Sequence, residues 1–290
     1  MNLCILLGIG ILAGLTTVLF GFGGGFVTVP VVGWADGGLG SAAAHVAVAT
    51  SSVVMVVNAC VATAATERSI LRQLRGATGL MLLLAAGGAV GTLAAGLAPG
   101  RVTQWGFVAY LVIAITDLLL RPGFFRPHAV TRPDEESGHD PGGDSDSHHG
   151  HDHGPDGGRG IPAVLGAPIG AIAAFLGIGG SVLTVPLLRR SGRDMRTATS
   201  LANPLTLAIA APATAIFLTQ PRPSVAGTAV FLAGPIDLGA AAALLAGALP
   251  VIVVLRRHRP RIPDGIYSWS YLGLLILVAA AMVVETLRHG

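Results

Sequence analysis

The sequence predicts an all-α polytopic membrane protein made of two inverted repeats, each a re-entrant broken-helix hairpin plus three transmembrane helices. Three observations lead there: apolar runs of spanning length, a glycine-rich break that recurs at matched positions, and an arginine distribution that acquires an orientation only if each break is a hairpin.

Composition identifies the solvent. Of 290 residues, 52% are hydrophobic and 11% charged, with a mean hydropathy of +0.70, whereas about a quarter of an average soluble domain is charged. Helices need roughly 18 to 25 apolar residues to cross about 30 Å of hydrocarbon, and these runs supply them. The net charge of +3 does not point to nucleic acid, because all eighteen basic residues are arginine and most occupy short connections between apolar runs. The expected setting is the plasma membrane, with the lipid bilayer as partner and no nucleic acid. Cys4 and Cys60 lie in apolar runs, so they read as buried and inert rather than as a disulfide or a zinc ligand pair.

The first run, Leu3 to Phe20, has no basic residue before it and no small-residue cleavage site after it, so it reads as a mature helix rather than a signal peptide. Gly21-Phe22-Gly23-Gly24-Gly25 follows, then a short apolar piece from Phe26 to Trp34 and the turn Ala35-Asp36-Gly37-Gly38, too many breakers for one straight helix. Three long runs complete the half: Ala42 to Thr66, Ala77 to Ala98 and Val102 to Leu120. Residues 121–160 hold eight of the fifteen acidic residues and six of the nine histidines, and read as a disordered, solvated linker between units 1–120 and 161–290. The second unit repeats the order: Ile161 to Leu176, the break Gly177-Ile178-Gly179-Gly180-Ser181, Val182 to Leu188, then Thr197 to Leu218, Ile236 to Leu255 and Tyr267 to Leu287.

The two units overlay. With Pro30 on Pro186, six of eleven positions are identical: Gly21/Gly177, Gly23/Gly179, Gly24/Gly180, Thr28/Thr184, Val29/Val185 and Pro30/Pro186. The register returns at Ala49-Thr50-Ser51 against Ala198-Thr199-Ser200, as expected of an internal duplication.

Charge chooses the topology. If each broken segment crossed the membrane, each unit would have four crossings and the arginines would divide nine against nine. If each is a hairpin that returns to its own side, three crossings remain and the second unit is inverted; only Arg101, Arg222 and Arg288 then face one side. Setting aside Arg132 and Arg159, deep in the linker, the bias is thirteen to three. The positive-inside rule makes the arginine-rich side cytoplasmic, together with the linker, and puts both termini outside.

Non-helical backbone in hydrocarbon persists only where protein or a wet cavity satisfies it, so breaks at membrane depth mark sites. Two tips entering from opposite faces meet near the midplane and aim the free N–H groups and positive dipole ends of the short helices at one locus, an arrangement that holds an anion without a buried cation. No long run has a central arginine, and lysine is absent. The candidate site is therefore Gly23, Gly24 and Gly25 with Gly179, Gly180 and Ser181, and polar contacts come from Thr28, Thr50, Ser51, Thr184, Thr199, Ser200 and Asn203, the last preceding Pro204 at an expected kink. The competing reading is that these small residues only permit close helix packing.

At these residues the chain resembles the TauE/SafE-type sulfite exporter family, within the 4-toluene sulfonate uptake permease group. The resemblance rests on both glycine breaks through Pro30 and Pro186 and on the Ala-Thr-Ser after each, and it covers nearly the whole chain apart from the linker. It implies secondary transport of sulfite, thiosulfate or an organosulfonate, with a small anion as substrate and a proton or sodium ion as coupling ion. Nothing suggests an enzyme: no nucleophile motif, duplicated acid–base pair or H-E-x-x-H is present. No cofactor is expected beyond loose divalent metal on the linker tract His148, His149, His151 and His153, which motivates the rival reading of a nickel, cobalt or zinc transporter or a metal-responsive sensor. A cation path calls for acidic or histidine side chains inside the helices. The few present are Asp117, set to pair with Arg121 one turn on, Asp237 and Glu285 near run ends, and His45, a candidate for proton coupling. Asn58, mid-run, reads as interhelical glue.

Overall fold

The computed structural model describes residues 3–35, 42–121, 162–221, 232–257 and 263–289. The linker histidines His148, His149, His151 and His153 lie outside the described residues. Among the described residues the chain is all-α apart from one short two-stranded ribbon, and six helices are long and apolar enough to cross a bilayer, as a multi-pass membrane protein requires.

The first half holds α1 (Leu3–Phe20), α2 (Gly25–Ala35), α3 (Ala43–Ala64), the short α4 (Arg68–Leu71), α5 (Thr78–Leu97) and α6 (Gly100–Leu120). The second holds α7 (Gly166–Leu176), α8 (Ser181–Arg190), α9 (Met195–Thr219), α10 (Leu238–Arg257) and α11 (Asp264–His289). α9 begins two residues before the expected Thr197 because Asp194 caps it, accepting a bond from the Thr197 amide at 3.1 Å. It continues through both Pro204 and Pro212 rather than ending at either. The run expected to be helical from Ile236 opens instead in a two-stranded ribbon, β1 (Leu232–Ala233) against β2 (Ile236–Asp237). Asp237 ends it by accepting bonds from Gly239 and Ala240 amides at 2.8 and 3.0 Å, which starts α10.

Side-chain registers set helix directions. Gly10 meets Leu244 and Gly14 meets Ala248, so α1 and α10 run parallel; Gly87 meets Ala167 and Gly91 meets Ala171, so α5 and α7 do likewise. α3 is parallel to α10, since Thr50 bonds to Asp237 near one end and Thr66 to Arg256 near the other. Hence α1 and α3 point the same way, and α2 between them runs back: Gly25 abuts Met55, whereas Gly33 lies beside Ala44 and Ala47. In the second half Gly88 meets Ile209 and Gly96 meets Gln220, so α9 follows α5 and α7, and α8 is the return arm. The corresponding helices α3 and α9 are antiparallel, joined by His45 to Gln220 at 2.9 Å and Ser52 to Thr214 at 3.0 Å.

Two consequences follow for packing. The first helix of each half lies on the other half, α1 on α10 and α7 on α5, and small residues make this possible. A Cβ on Gly87, Gly91 or Gly170 would fall 2.0 to 2.2 Å from a carbonyl oxygen of the facing helix. Arginines of both halves also gather at one end: Asp117 accepts from Arg190 at 2.6 Å and from Arg121 at 2.9 Å, Arg193 reaches Gln73 at 3.3 Å and Arg196 lies 3.9 Å from Glu67. An exposed ion pair such as Arg196 with Glu67 stabilises by at most about 1 kcal/mol, and the interest of these contacts is that they bring the two halves' charges to one face.

Large apolar side chains remain on the outer surface, among them Leu97, Ile113, Leu120 and Leu277, as suits helices solvated by hydrocarbon. Cys4 and Cys60 share that surface, a correction to the expected burial: in a lipid-facing helix an apolar neighbourhood does not imply an interior position.

Candidate functional site

Each glycine break is a left-handed turn that only glycine adopts without strain. Gly21 and Gly177 have φ of 72° and 69°, Gly23 and Gly179 of 64° and 69°, so the duplicated sequence builds the same backbone twice. The tips diverge one residue later, where Gly24 keeps a positive φ of 86° and Gly180 is helical at −70°.

The two tips touch. The Cβ position of Gly25 lies 2.9 Å from the Gly177 carbonyl oxygen, and that of Gly179 lies 3.5 Å from the Phe22 carbonyl oxygen. Around them the first amides of α2 and α8, at Gly25, Phe26, Ser181 and Val182, have no carbonyl one turn back within their own helix. Aromatic rings wall the first tip, with Phe22 stacked on Phe26 at 4.7 Å and tilted against Tyr271 at 5.1 Å.

The predicted polar residues are all buried, but they are not equally available. Thr28 donates to the Gly24 carbonyl at 2.8 Å, Thr199 to Arg196 at 3.1 Å, and Ser51 to Val48 at 2.7 Å and across the halves to Gly177 at 3.0 Å. Thr50 accepts from the Asp237 amide at 2.9 Å. Asn203 donates to Thr199 at 3.2 Å, leaving its Oδ1 unpartnered. Ser200 is buried beside them at 6% exposure. Ser181 and Thr184 keep buried hydroxyls with no hydrogen-bond partner, so both are free to meet a ligand.

Three residues at the tips were not in the predicted set. Thr206, fully buried with an unpartnered hydroxyl, places its methyl against both Gly23 and Gly179. Asn58 donates to the Gly23 carbonyl at 3.3 Å, which is the gluing role the sequence suggested, applied to the break itself. Met55 lies against Gly23, Gly25 and Gly179 and fills the space between the tips. Helical spacing held the signal: Ser51, Met55 and Asn58 on α3, like Thr199, Asn203 and Thr206 on α9, follow i, i+4, i+7 and share one face.

At the arginine-rich end a cavity of about 290 Å³ opens, lined by Gln73, Arg75 and Arg193 and reaching Leu205, the neighbour of Thr206. His45, half-buried, is occupied by Gln220 and by edge contact with Phe217. Among the described residues no group of three or more His, Cys, Asp or Glu side chains is placed to hold a metal.

A family model, that of the sulfite exporter TauE/SafE, matches residues 6–282, a span that includes both glycine breaks and the linker. No curated protein and no solved structure matches the chain. A multi-pass helical chain matched from its first helix into its last belongs to the TauE/SafE sulfite exporter family, a family of membrane transporters rather than enzymes.

Proposed function

We propose that this protein is a secondary transporter of a small sulfur-containing anion, sulfite, thiosulfate or an organosulfonate, which it moves by alternating exposure of a midplane site at the two glycine tips. The units 1–120 and 161–290 act as inverted repeats, each hairpin entering from its own face, with residues 121–160 as a cytoplasmic linker and both termini outside. The observation that carries the reading is the meeting of two matched left-handed turns beside unpartnered hydroxyls of Ser181, Thr184 and Thr206. Amide and hydroxyl donors around a negative solute replace its water without placing a fixed cation in the hydrocarbon.

In the state described, Met55 covers the glycines, so the tips are occluded. A thioether on a flexible stem is suited to this position, because it rotates away without breaking a hydrogen bond. The arginine-lined cavity beside Leu205 is the approach from the cytoplasmic face, and its positive wall concentrates anions at the entrance.

Flux in proteoliposomes, compared for sulfite, thiosulfate, small sulfonates and Ni²⁺, tests the proposal. Selective movement of the sulfur anions is expected. Selective movement of Ni²⁺, with none of the anions, would reject it.

A further inference from the structure

The duplication also supplies an internal comparison at the far end of each return arm. With Pro30 on Pro186, Gly33 of α2 corresponds to Arg189 of α8 and Trp34 to Arg190. In the second half the acid opposite this position is Asp117, in the last turn of α6, and Arg190 neutralises it at 2.6 Å. In the first half the acid is Glu285, in the last turns of α11, and what faces it is Gly33.

Among the described residues Glu285 therefore has no counter-charge. It is 6% exposed, its Oε2 has no hydrogen-bond partner, and its Oε1 lies 2.5 Å from where a Cβ on Gly33 would sit, so a larger residue there would displace the carboxyl. A small cavity adjoins the carboxyl, lined by Val29, Gly33, Ala44, Thr103, Gln104 and Phe107 among others, with no cationic side chain in the lining. α2 itself carries no titratable residue. On α3 the nearest is His45, engaged by Gln220; on α6 they are Arg101, itself engaged, Tyr110 and Asp117; on α11 they are Tyr267 and Tyr271, with Asp264 at its far end and Arg288 and His289 following Glu285 in sequence.

We propose that Glu285 is the proton-binding site that couples anion movement to a proton gradient. This inference rests on the transport reading above. A buried carboxylate without a cation is unfavourable in this setting, so Glu285 is neutral when protonated and charged when it releases its proton into the cavity. The two forms differ in charge against Gly33, near the end of the helix whose first residue is Gly25, eight positions away in the same helix. Protonation at one end of α2 thereby biases the position of the tip at the other. Asp117, held by Arg190 and Arg121, stays paired and performs no such role. The chemistry is proton uptake by a carboxylate and its return, with no other reactant.

The test uses the full-length protein in proteoliposomes and radiolabelled sulfite, in two modes: net flux with and without an imposed pH difference, and sulfite–sulfite exchange at equal pH. Sulfite binds protons itself, so variants are compared at identical pH values. Wild-type net flux is expected to rise several-fold with the pH difference, and Asp117→Asn to keep that response. Glu285→Gln is expected to exchange sulfite while its net flux no longer follows the pH difference, and Glu285→Asp to restore the response in part. A Glu285→Gln net flux that still follows the pH difference overturns the assignment, as does wild-type flux indifferent to it or loss of exchange in Glu285→Gln. Absence of both sulfite modes in the wild type would instead reject the transport reading, and the inference with it.

Discussion

Adding one methyl group at matched positions of the two tips separates a strained backbone from a merely crowded one. At Gly24 the φ of 86° disfavours any L side chain by about 1 to 2 kcal/mol. Its new Cβ would sit 2.6 Å from the Asn58 Nδ2 that holds the Gly23 carbonyl, so about 0.5 to 1.5 kcal/mol of hydrogen bonding is also lost. The sum, about 1.5 to 3.5 kcal/mol against the tip conformation, reduces the competent population about 10- to 300-fold at 1.4 kcal/mol per tenfold. Gly180, in contrast, has a helical φ of −70°, and its Cβ would crowd the terminal methyl of Ile209 at 2.5 Å, with its other neighbours at ordinary contact distance. Turning that side chain involves about 1 kcal/mol, worth about fivefold. Sulfite flux in proteoliposomes, normalised to inserted protein, should therefore show an apparent KM raised far more by Gly24→Ala than by Gly180→Ala. Wild-type KM in Gly24→Ala, or the reverse order of the two variants, would refute the tip site.

Three further outcomes are expected. Ser181→Ala and Thr206→Val remove buried, unpartnered hydroxyls; if those donate to a charged solute at about 1.5 to 3 kcal/mol apiece, each should raise the apparent KM about tenfold or more, and unchanged flux would remove them from the site. In a cysteine-free background, an impermeant thiol reagent should label Arg72→Cys and Arg193→Cys from the same side of the membrane and Arg101→Cys from the opposite one, a result that four crossings per half does not permit. Gly91→Leu, whose Cβ would lie 2.1 Å from the Ala171 carbonyl oxygen, should lower the melting temperature in detergent, whereas Gly79→Leu, with nothing within 4 Å, should leave it unchanged.

Much of the fold was legible because membrane helices announce themselves by length. The spanning segments and both breaks fall within a few residues of where hydropathy and glycine placed them, and α1 coincides with its run. What hydropathy does not encode is which face of a helix meets protein, since lipid is as apolar as leucine. Cys4 and Cys60 were misplaced for that reason, and the pairing of α1 with α10 and α7 with α5 was not foreseen, although the glycines that enable it were in view. At the site, motif duplication located the tips but did not distinguish spent hydroxyls such as Thr28 and Ser51 from free ones such as Ser181 and Thr184, because that depends on which carbonyl lies within reach. Met55, an apolar residue in an apolar run, carries no mark of its own in the sequence.

The crossed seating of α1 and α7 makes the two halves a mutual clasp. A ribosome that has made only the first 120 residues has produced α5 with its glycine face bare and α1 without its main partner helix, so the N-terminal half waits, incompletely assembled, until α7 and α10 arrive. For the same reason severing the chain between the halves should not release them: two separately encoded fragments, made together in one membrane, would recover one particle held by backbone contact rather than by covalent continuity.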